Sequence, residues 1–544
     1  MEKYLTTNNE LRRPDYFNFA TDVVDVWAAK SPSLEAMLWV SSDTKIPKSL
    51  SYSHFSRQSH RIAALLQRLG VSSGDVMMLV LPRLPAWWEV ATAELRSGVV
   101  IAPATTLLTA ADIRYRCRKS KASVFVGDAT NVAKARQIRH SCPSLQVIIQ
   151  VDGTPDLGVV NLYDELRRIA DDAIYHTVRQ PWNAPALAYF TSGTSGLPKM
   201  VRHNQVSYPL GKLHPSCPHV LTGKYWLRLS PGKLCWNFTE QGWGKAAYSF
   251  FGAWNCGASL FIWDDRGSFN AQSILNVLHR FPITSLCAPP LAWRHLTTNT
   301  AYMQYYRQHP PKSFSHCTSA GDYGDFPVRT GSMGKPLPGV PLHAITASGE
   351  ETAPGEEGEL AILLSDDGCG RPGESGFMGI YDGYVGDDGR VTRTSKVTCS
   401  RGRKQIWYMT GDKARRDADG YLWFVGRADD VINSSGYRIG PFEVESILMQ
   451  HPAVAECAVI SSPDKARGEV VKAIIVLASE YAAAELDNLT REIQDFCKKI
   501  SAPYKYPRTI QYASAGSLPR TTSGKIKRAQ LRKKEWEAVR IGQI

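Results

Sequence analysis

Through the first half of the chain, helical stretches alternate with short β-rich runs, and this alternation constrains the fold more than any other feature. Ser56–Leu69 reads as a helix and is followed by the strand-sized run Val76–Leu81; further short runs stand at Ser123–Val126 and Leu145–Val151. Strands spaced by helices in this way predict layered α/β architecture with largely parallel sheets. From about 340 to 425 the chain becomes glycine-rich and short-stranded, with turn signals at Asp387-Asp-Gly389 and Asp419-Gly420, which predicts a small β-rich subdomain.

The stretch from about 428 reads as a separate α+β unit. Gly440-Pro441 opens a helix through Met449, since proline suits a first helical turn. Ala455–Ile460 and Val470–Leu477 are strand-like. Leu486, Leu489, Ile493, Phe496, Cys497 and Ile500 then fall on one helix face, as core residues do. With 544 residues the chain is long enough for two domains, expected here at 1–426 and 427–544.

Composition excludes several classes. At 43% hydrophobic and 21% charged residues the chain is not mostly disordered. No apolar run approaches the ~20 residues of a membrane helix. Eleven cysteines are scattered without a C-x-x-C pair, which argues against zinc and redox motifs and for reduced thiols in a cytosolic setting. The first residues carry no apolar signal core and the last match no peroxisomal or retrieval tail, so a cytoplasmic location is expected. The net charge of +13 is dispersed and accompanied by no nucleic-acid signature; it reads as solvated surface or as a match for a phosphate-rich small molecule.

The sharpest local signal is the string Thr191, Ser192, Gly193, Thr194, Ser195, Gly196, Leu197, Pro198, Lys199 after the β-rich run Ala186–Thr191. Glycines let backbone approach a polyphosphate, hydroxyls and N–H groups donate to it, and the lysine adds charge. It is not a Walker A loop, because Lys199 follows proline and precedes methionine.

That string combines with Tyr408-Met-Thr-Gly-Asp412, Gly426-Arg-Ala-Asp-Asp-Val-Ile-Asn-Ser-Ser-Gly-Tyr-Arg438, Ser461–Lys472, Ala502–Arg508 and Leu518–Lys525. Together they resemble the adenylate-forming superfamily, most nearly the medium-chain acyl-CoA synthetases, from roughly residue 35 to residue 536. The resemblance implies a two-step ligase with a mobile C-terminal domain. A carboxylic acid attacks the α-phosphate of ATP to give acyl-AMP, and the thiol of coenzyme A then displaces AMP. It implies Mg²⁺ beside ATP, and a small-molecule acid, ATP and coenzyme A as the partners, with no nucleic acid; a carrier-protein thiol is the alternative acceptor. Residues 191–199 would hold the β- and γ-phosphates, and Lys525 would serve the α-phosphate and carboxylate during adenylation. Asp412 would accept from the ribose hydroxyls, Arg427 would touch ribose and phosphate, and Asp429 would be the hinge. Ser435, Gly436 and Tyr437 would line the pantetheine tunnel, Arg467 and Arg508 would meet the coenzyme A phosphates, Arg438 would reach the phosphate side, and Trp243 would face the acid.

One block departs from the family pattern. Cys317-Thr-Ser-Ala-Gly-Asp322 resembles the segment that meets adenine, but the tyrosine-glycine-x-threonine-glutamate motif expected after it is missing. The sequence reaches Gly331-Ser-Met-Gly-Lys335, which resembles a later family segment, within ten residues. A real deletion there would remove the glutamate that helps to hold Mg²⁺ and point to a non-catalytic variant.

Overall fold

A computed structural model describes residues 13–41, 46–191, 198–210, 221–267, 269–288, 292–293, 296, 300–310, 316–317, 327, 329–337, 339–365, 379–392, 395–400, 403–428, 430–434, 437–464, 467–500, 505–521 and 524–540. The predicted alternation closes into two sheets with helices packed between and outside them. The larger has nine strands. From one edge they are Val391–Thr392, Gly383–Val385, Lys199–Asn204, Pro185–Thr191, Val100–Pro103, Val76–Val80, Val124–Gly127, Val147–Gln150 and Val160–Asn161. The six from Pro185–Thr191 onward are parallel to one another, and the other three join antiparallel. A six-stranded sheet lies beside it, in the order His316–Cys317, Ser285–Cys287, Leu234–Asn237, Ser259–Trp263, Glu35–Val40 and Pro47–Ser51.

One continuous core joins the two sheets through the helices Tyr52–Arg68, Pro85–Ser97 and Ala247–Asn255. The first starts where Ser51 accepts from the His54 N–H, and the second has Pro85 in its first turn. Pro85–Ser97 is buried along almost its whole length, so its polar side chains need partners. Arg96, fully buried, finds them in the Asp25 carboxylate, at 2.7 and 2.9 Å, and in Ser59.

The strands Leu342–Ile345, Glu357–Ser365, Arg403–Arg416, Ser395–Ser400 and Leu422–Arg427 form an antiparallel sheet where a β-rich subdomain was expected. One part of that stretch goes elsewhere. The hairpin Gly383–Val385/Val391–Thr392, built around the Asp387-Asp-Gly389 turn, leaves its sequence neighbours and completes the nine-stranded sheet on Lys199–Asn204. A turn signal marks a hairpin but says nothing about which sheet accepts it.

The C-terminal unit is a five-stranded sheet of Tyr437–Ile439, Ile432–Ser434, Gly468–Leu477, Val454–Asp464 and Thr509–Tyr512. The helices Pro441–Leu448 and Leu486–Ile500 share one core with it, and Arg528–Arg540 packs with the Val454–Asp464 strand. Of the predicted stripe, Leu489, Ile493 and Cys497 are buried, whereas Leu486 and Ile500 at the helix ends are exposed. Lys472 and Glu535, both buried, pair at 2.5 Å, and Ser462 donates to the same carboxylate at 2.7 Å. Pro441–Leu448 also rests on the strand Leu422–Arg427, with Phe424 edge-on to Phe442. Gly440 permits this approach: a Cβ there would lie 1.8 Å from the Val425 carbonyl oxygen.

Candidate active site

The phosphate-loop string turns out to join two antiparallel strands. Thr191 pairs with Lys199 across Pro185–Thr191 and Lys199–Asn204, and the Thr191 hydroxyl donates to the Lys199 carbonyl at 3.3 Å. Both residues are exposed at the mouth of the loop. Ser192, Gly193, Thr194, Ser195, Gly196 and Leu197 lie outside the described residues. The loop exit is held by Tyr115, whose hydroxyl donates to the Pro198 carbonyl at 2.8 Å.

Asp412 and Arg427 face each other across the Arg403–Arg416 and Leu422–Arg427 strands. The guanidinium lies 3.1 Å from the Asp412 carboxylate and donates to the Thr410 carbonyl at 3.0 Å. The Asp412 N–H donates to the Thr410 hydroxyl, which donates to Leu360. Sequence reading gives these two residues separate contacts; the fold makes them one ion pair, with Arg427 orienting the carboxylate.

Between the loop and this pair stands a group of tyrosines, of which Tyr408 opens the Asp412 motif and Tyr381 and Tyr384 belong to no motif. Tyr408, four residues before Asp412, donates to the Tyr381 hydroxyl at 3.3 Å. Tyr381 in turn packs edge-on against Tyr384 and His203. Burial pushes the Tyr381 and Tyr408 phenols above the usual tyrosine range, so both are neutral donors at physiological pH.

The Glu240–Trp243 segment is clamped to the loop after Val100–Pro103. The Glu240 carboxylate accepts from the Thr105 hydroxyl at 2.5 Å, the Thr106 N–H at 2.8 Å and the Thr106 hydroxyl at 2.9 Å. Gly242 lies so close that a Cβ would fall 2.1 Å from the Thr105 nitrogen. Half-buried Trp243 precedes the short turn Gly244–Ala246, whose Gly244 carbonyl accepts from the Tyr208 hydroxyl. Trp236 and Trp254 are buried core and Trp263 packs against it, as plain packing residues would.

Lys525 is exposed in a tight turn closed by hydrogen bonds from the Thr521 N–H to the Lys525 carbonyl, 2.8 Å, and from the Lys525 N–H to the Thr521 hydroxyl, 3.1 Å. Arg467 is exposed where Val454–Asp464 turns into Gly468–Leu477. Gly468 pairs with Ser434, and Ser434 with Tyr437, so Arg467 lies at the same sheet end as Ser434 and Tyr437. Ser435, Gly436 and the hinge candidate Asp429 lie outside the described residues; Tyr437 and Arg438 are placed as backbone, in the edge strand Tyr437–Ile439. Arg508 lies against Tyr506, 5.0 Å from its ring centre and donating to its hydroxyl, and Lys498, which no motif marked, meets the same ring at 4.7 Å. Asp322–Phe326 also lies outside the described residues. Among the described residues no three His, Cys, Asp or Glu side chains converge as a metal site, and no helix is long and apolar enough to cross a membrane.

Comparison with known proteins bears on this arrangement. The AMP-binding enzyme family matches residues 24–323, and the AMP-binding enzyme C-terminal domain matches residues 443–525. Acyl-coenzyme A synthetase ACSM5, mitochondrial, from Homo sapiens is 38% identical over 562 residues, with 96% of this chain and 91% of that protein covered. Acyl-coenzyme A synthetase ACSM3, mitochondrial, from Pongo abelii is 37% identical over 567 residues, covering 97% and 91%. Among solved structures, the anthranilate CoA ligase AuaEII in complex with anthranoyl-AMP superimposes with a TM-score of 0.77 at 25% identity, covering 97% of this chain and 99% of that one. Both alignments with the synthetases are longer than the 544 residues of this chain, so they open gaps in it, and the first family match stops one residue after Asp322.

Proposed function

Because the chain belongs to the AMP-binding enzymes, the adenylate-forming superfamily that includes the acyl-CoA synthetases, we propose that it is an ATP-dependent acyl-CoA ligase acting on a medium-chain or aryl carboxylic acid. The observation that carries the reading is the Asp412–Arg427 pair, linked to the Thr191–Lys199 loop mouth through Tyr408, Tyr381 and Tyr384. In-line attack at phosphorus spreads negative charge over oxygens, and cations and N–H donors around the phosphates stabilise it. Lys199 and the loop hydroxyls would take the β- and γ-phosphates, Asp412 the ribose hydroxyls, and Lys525 the α-phosphate once the C-terminal domain swings about Asp429. Trp243 would wall the acid, with Arg438 toward the phosphate. Ser435, Gly436 and Tyr437 would line the thiol path, with Arg467 and Arg508 at the coenzyme A phosphates. Mg²⁺ enters with ATP as part of the substrate, and no residue of this chain is assigned to it.

A second reading has its own observation. The alignment gaps, together with the family match that ends at residue 323, fit a block missing between Asp322 and Gly331. Such a chain forms thioester from preformed acyl-AMP while adenylating poorly. One experiment separates the two: acid-dependent ATP–pyrophosphate exchange with straight-chain and aryl acids, run beside acyl-AMP plus coenzyme A. Exchange together with thioester formation from acyl-AMP and coenzyme A establishes the full ligase, and the acid most active in exchange names its class. Thioester formation without exchange establishes the second reading, and silence in both removes each. Replacing coenzyme A by a holo-carrier protein in the same assay tests the alternative acceptor. The location is proposed from the names of the relatives as mitochondrial, in place of the cytoplasmic expectation, and cell fractionation decides it.

A further inference from the structure

We propose that Tyr384, on the hairpin that crosses over to the nine-stranded sheet, is a positioning residue for the ATP phosphates: its ring holds the Lys199 ammonium at the mouth of the loop. The inference rests on the reading of Lys199 as a phosphate contact.

Tyr384 pairs directly with Val201, and side chains two apart on a strand share a face. Lys199 is therefore the diagonal neighbour of Tyr384, within reach of a long side chain. Its ammonium lies 5.6 Å from the ring centre, inside the range of a cation–ring attraction. The hairpin carrying the ring is tied at its base and touches a neighbouring helix at its exposed tip. Asp382 accepts from Arg202 at 3.0 Å and from Asn204 at 2.8 Å, and Asp387 at the tip pairs with Lys119. Lys119 shares its helix, Ala110–Ser120, with Tyr115, which holds the Pro198 carbonyl. Ring and loop exit are thus referenced to one support. A lysine has four rotatable side-chain bonds, and a ring beneath the ammonium reduces the orientations it must give up when a phosphate arrives.

The test is calorimetric titration of the full chain with ATP and with AMP, which lacks the phosphates Lys199 would meet. Tyr384→Leu should raise the Kd for ATP about two- to fivefold, the size of an exposed cation–ring contact, and leave that for AMP unchanged. In a Lys199→Ala background the same substitution should have no further effect on ATP. Tyr384→Phe and Tyr384→Trp keep a ring and should bind ATP within twofold of the parent, which also guards against a Leu variant that fails to fold. An equal loss for AMP, an undiminished loss in the Lys199→Ala background, or a Phe variant as weak as Leu overturns the proposal alone. If Lys199→Ala leaves the Kd for ATP unchanged, or the parent binds no ATP, the phosphate reading itself falls and the proposal with it.

Discussion

Glu94 is fully buried in the Pro85–Ser97 helix, and neither of its carboxylate oxygens has a hydrogen-bond partner. Burial raises its pKa well above the ordinary glutamate value. Between the unfolded and folded pKa values the native state binds more protons than the unfolded one, so this residue lowers stability as pH rises through that window. Glu94→Gln mimics the protonated form and removes the dependence. Its advantage in urea midpoint over the parent should be absent near pH 4 and grow toward pH 8; an advantage that does not change with pH would count against a buried neutral acid. At the candidate site, Asp412→Ala should weaken ATP binding by roughly ten- to a hundredfold, the worth of one charge-assisted hydrogen bond or two. Arg427→Ala should produce part of the same loss, and combining the two should cost less than their sum, because one orients the other. Additive losses would show that they act separately. The motif made each residue visible in the sequence, but not the pair, which depends on a strand register that brings positions fifteen apart face to face.

Whole elements were legible where local chemistry decides them. Pro441 fits the first turn of its helix by its own fixed φ and missing N–H, and the stripe Leu489, Ile493 and Cys497 needs only its own period. The Gly383–Thr392 hairpin joins a different sheet from its sequence neighbours because its partner strand lies almost two hundred residues away, and apolar pattern carries no address. The clamp on the acid segment was invisible for the same reason: Glu240 and Thr105 meet only in the fold. Glu240→Ala frees that segment and should raise the KM for the acid about tenfold or more while the Kd for ATP stays within twofold; equal changes in both would make the clamp merely structural. Gly440→Ala cannot keep the Pro441–Leu448 helix against Val425. It should cost about 1–3 kcal/mol and expose the 427–440 connection to proteolysis before the N-terminal sheets unfold.

For the whole molecule, the layered architecture and the separate C-terminal sheet follow from sequence patterning, whereas the relative setting of the two units does not. Their contact rests on a few particular side chains, among them Phe424, Phe442 and the ion pair of Glu443 with Arg415. The turn that displays Lys525 is closed by its own backbone, so the residue can be removed without disturbing either sheet. Lys525→Ala should abolish acid-dependent pyrophosphate exchange and largely spare thioester formation from preformed acyl-AMP. Equal loss in both half-reactions would remove the lysine from the first step.

The long return of the Gly383–Thr392 hairpin also has a consequence for how the protein is made. Until residue 385 has left the ribosome, the Lys199–Asn204 strand has one row of backbone groups without their final partner. At ~5–20 residues per second the interval lasts about ten to forty seconds, long enough for a bare strand to recruit another nascent chain. The largest sheet of the molecule therefore closes late in translation, and a message cut short before that codon yields a product with a permanently open seam.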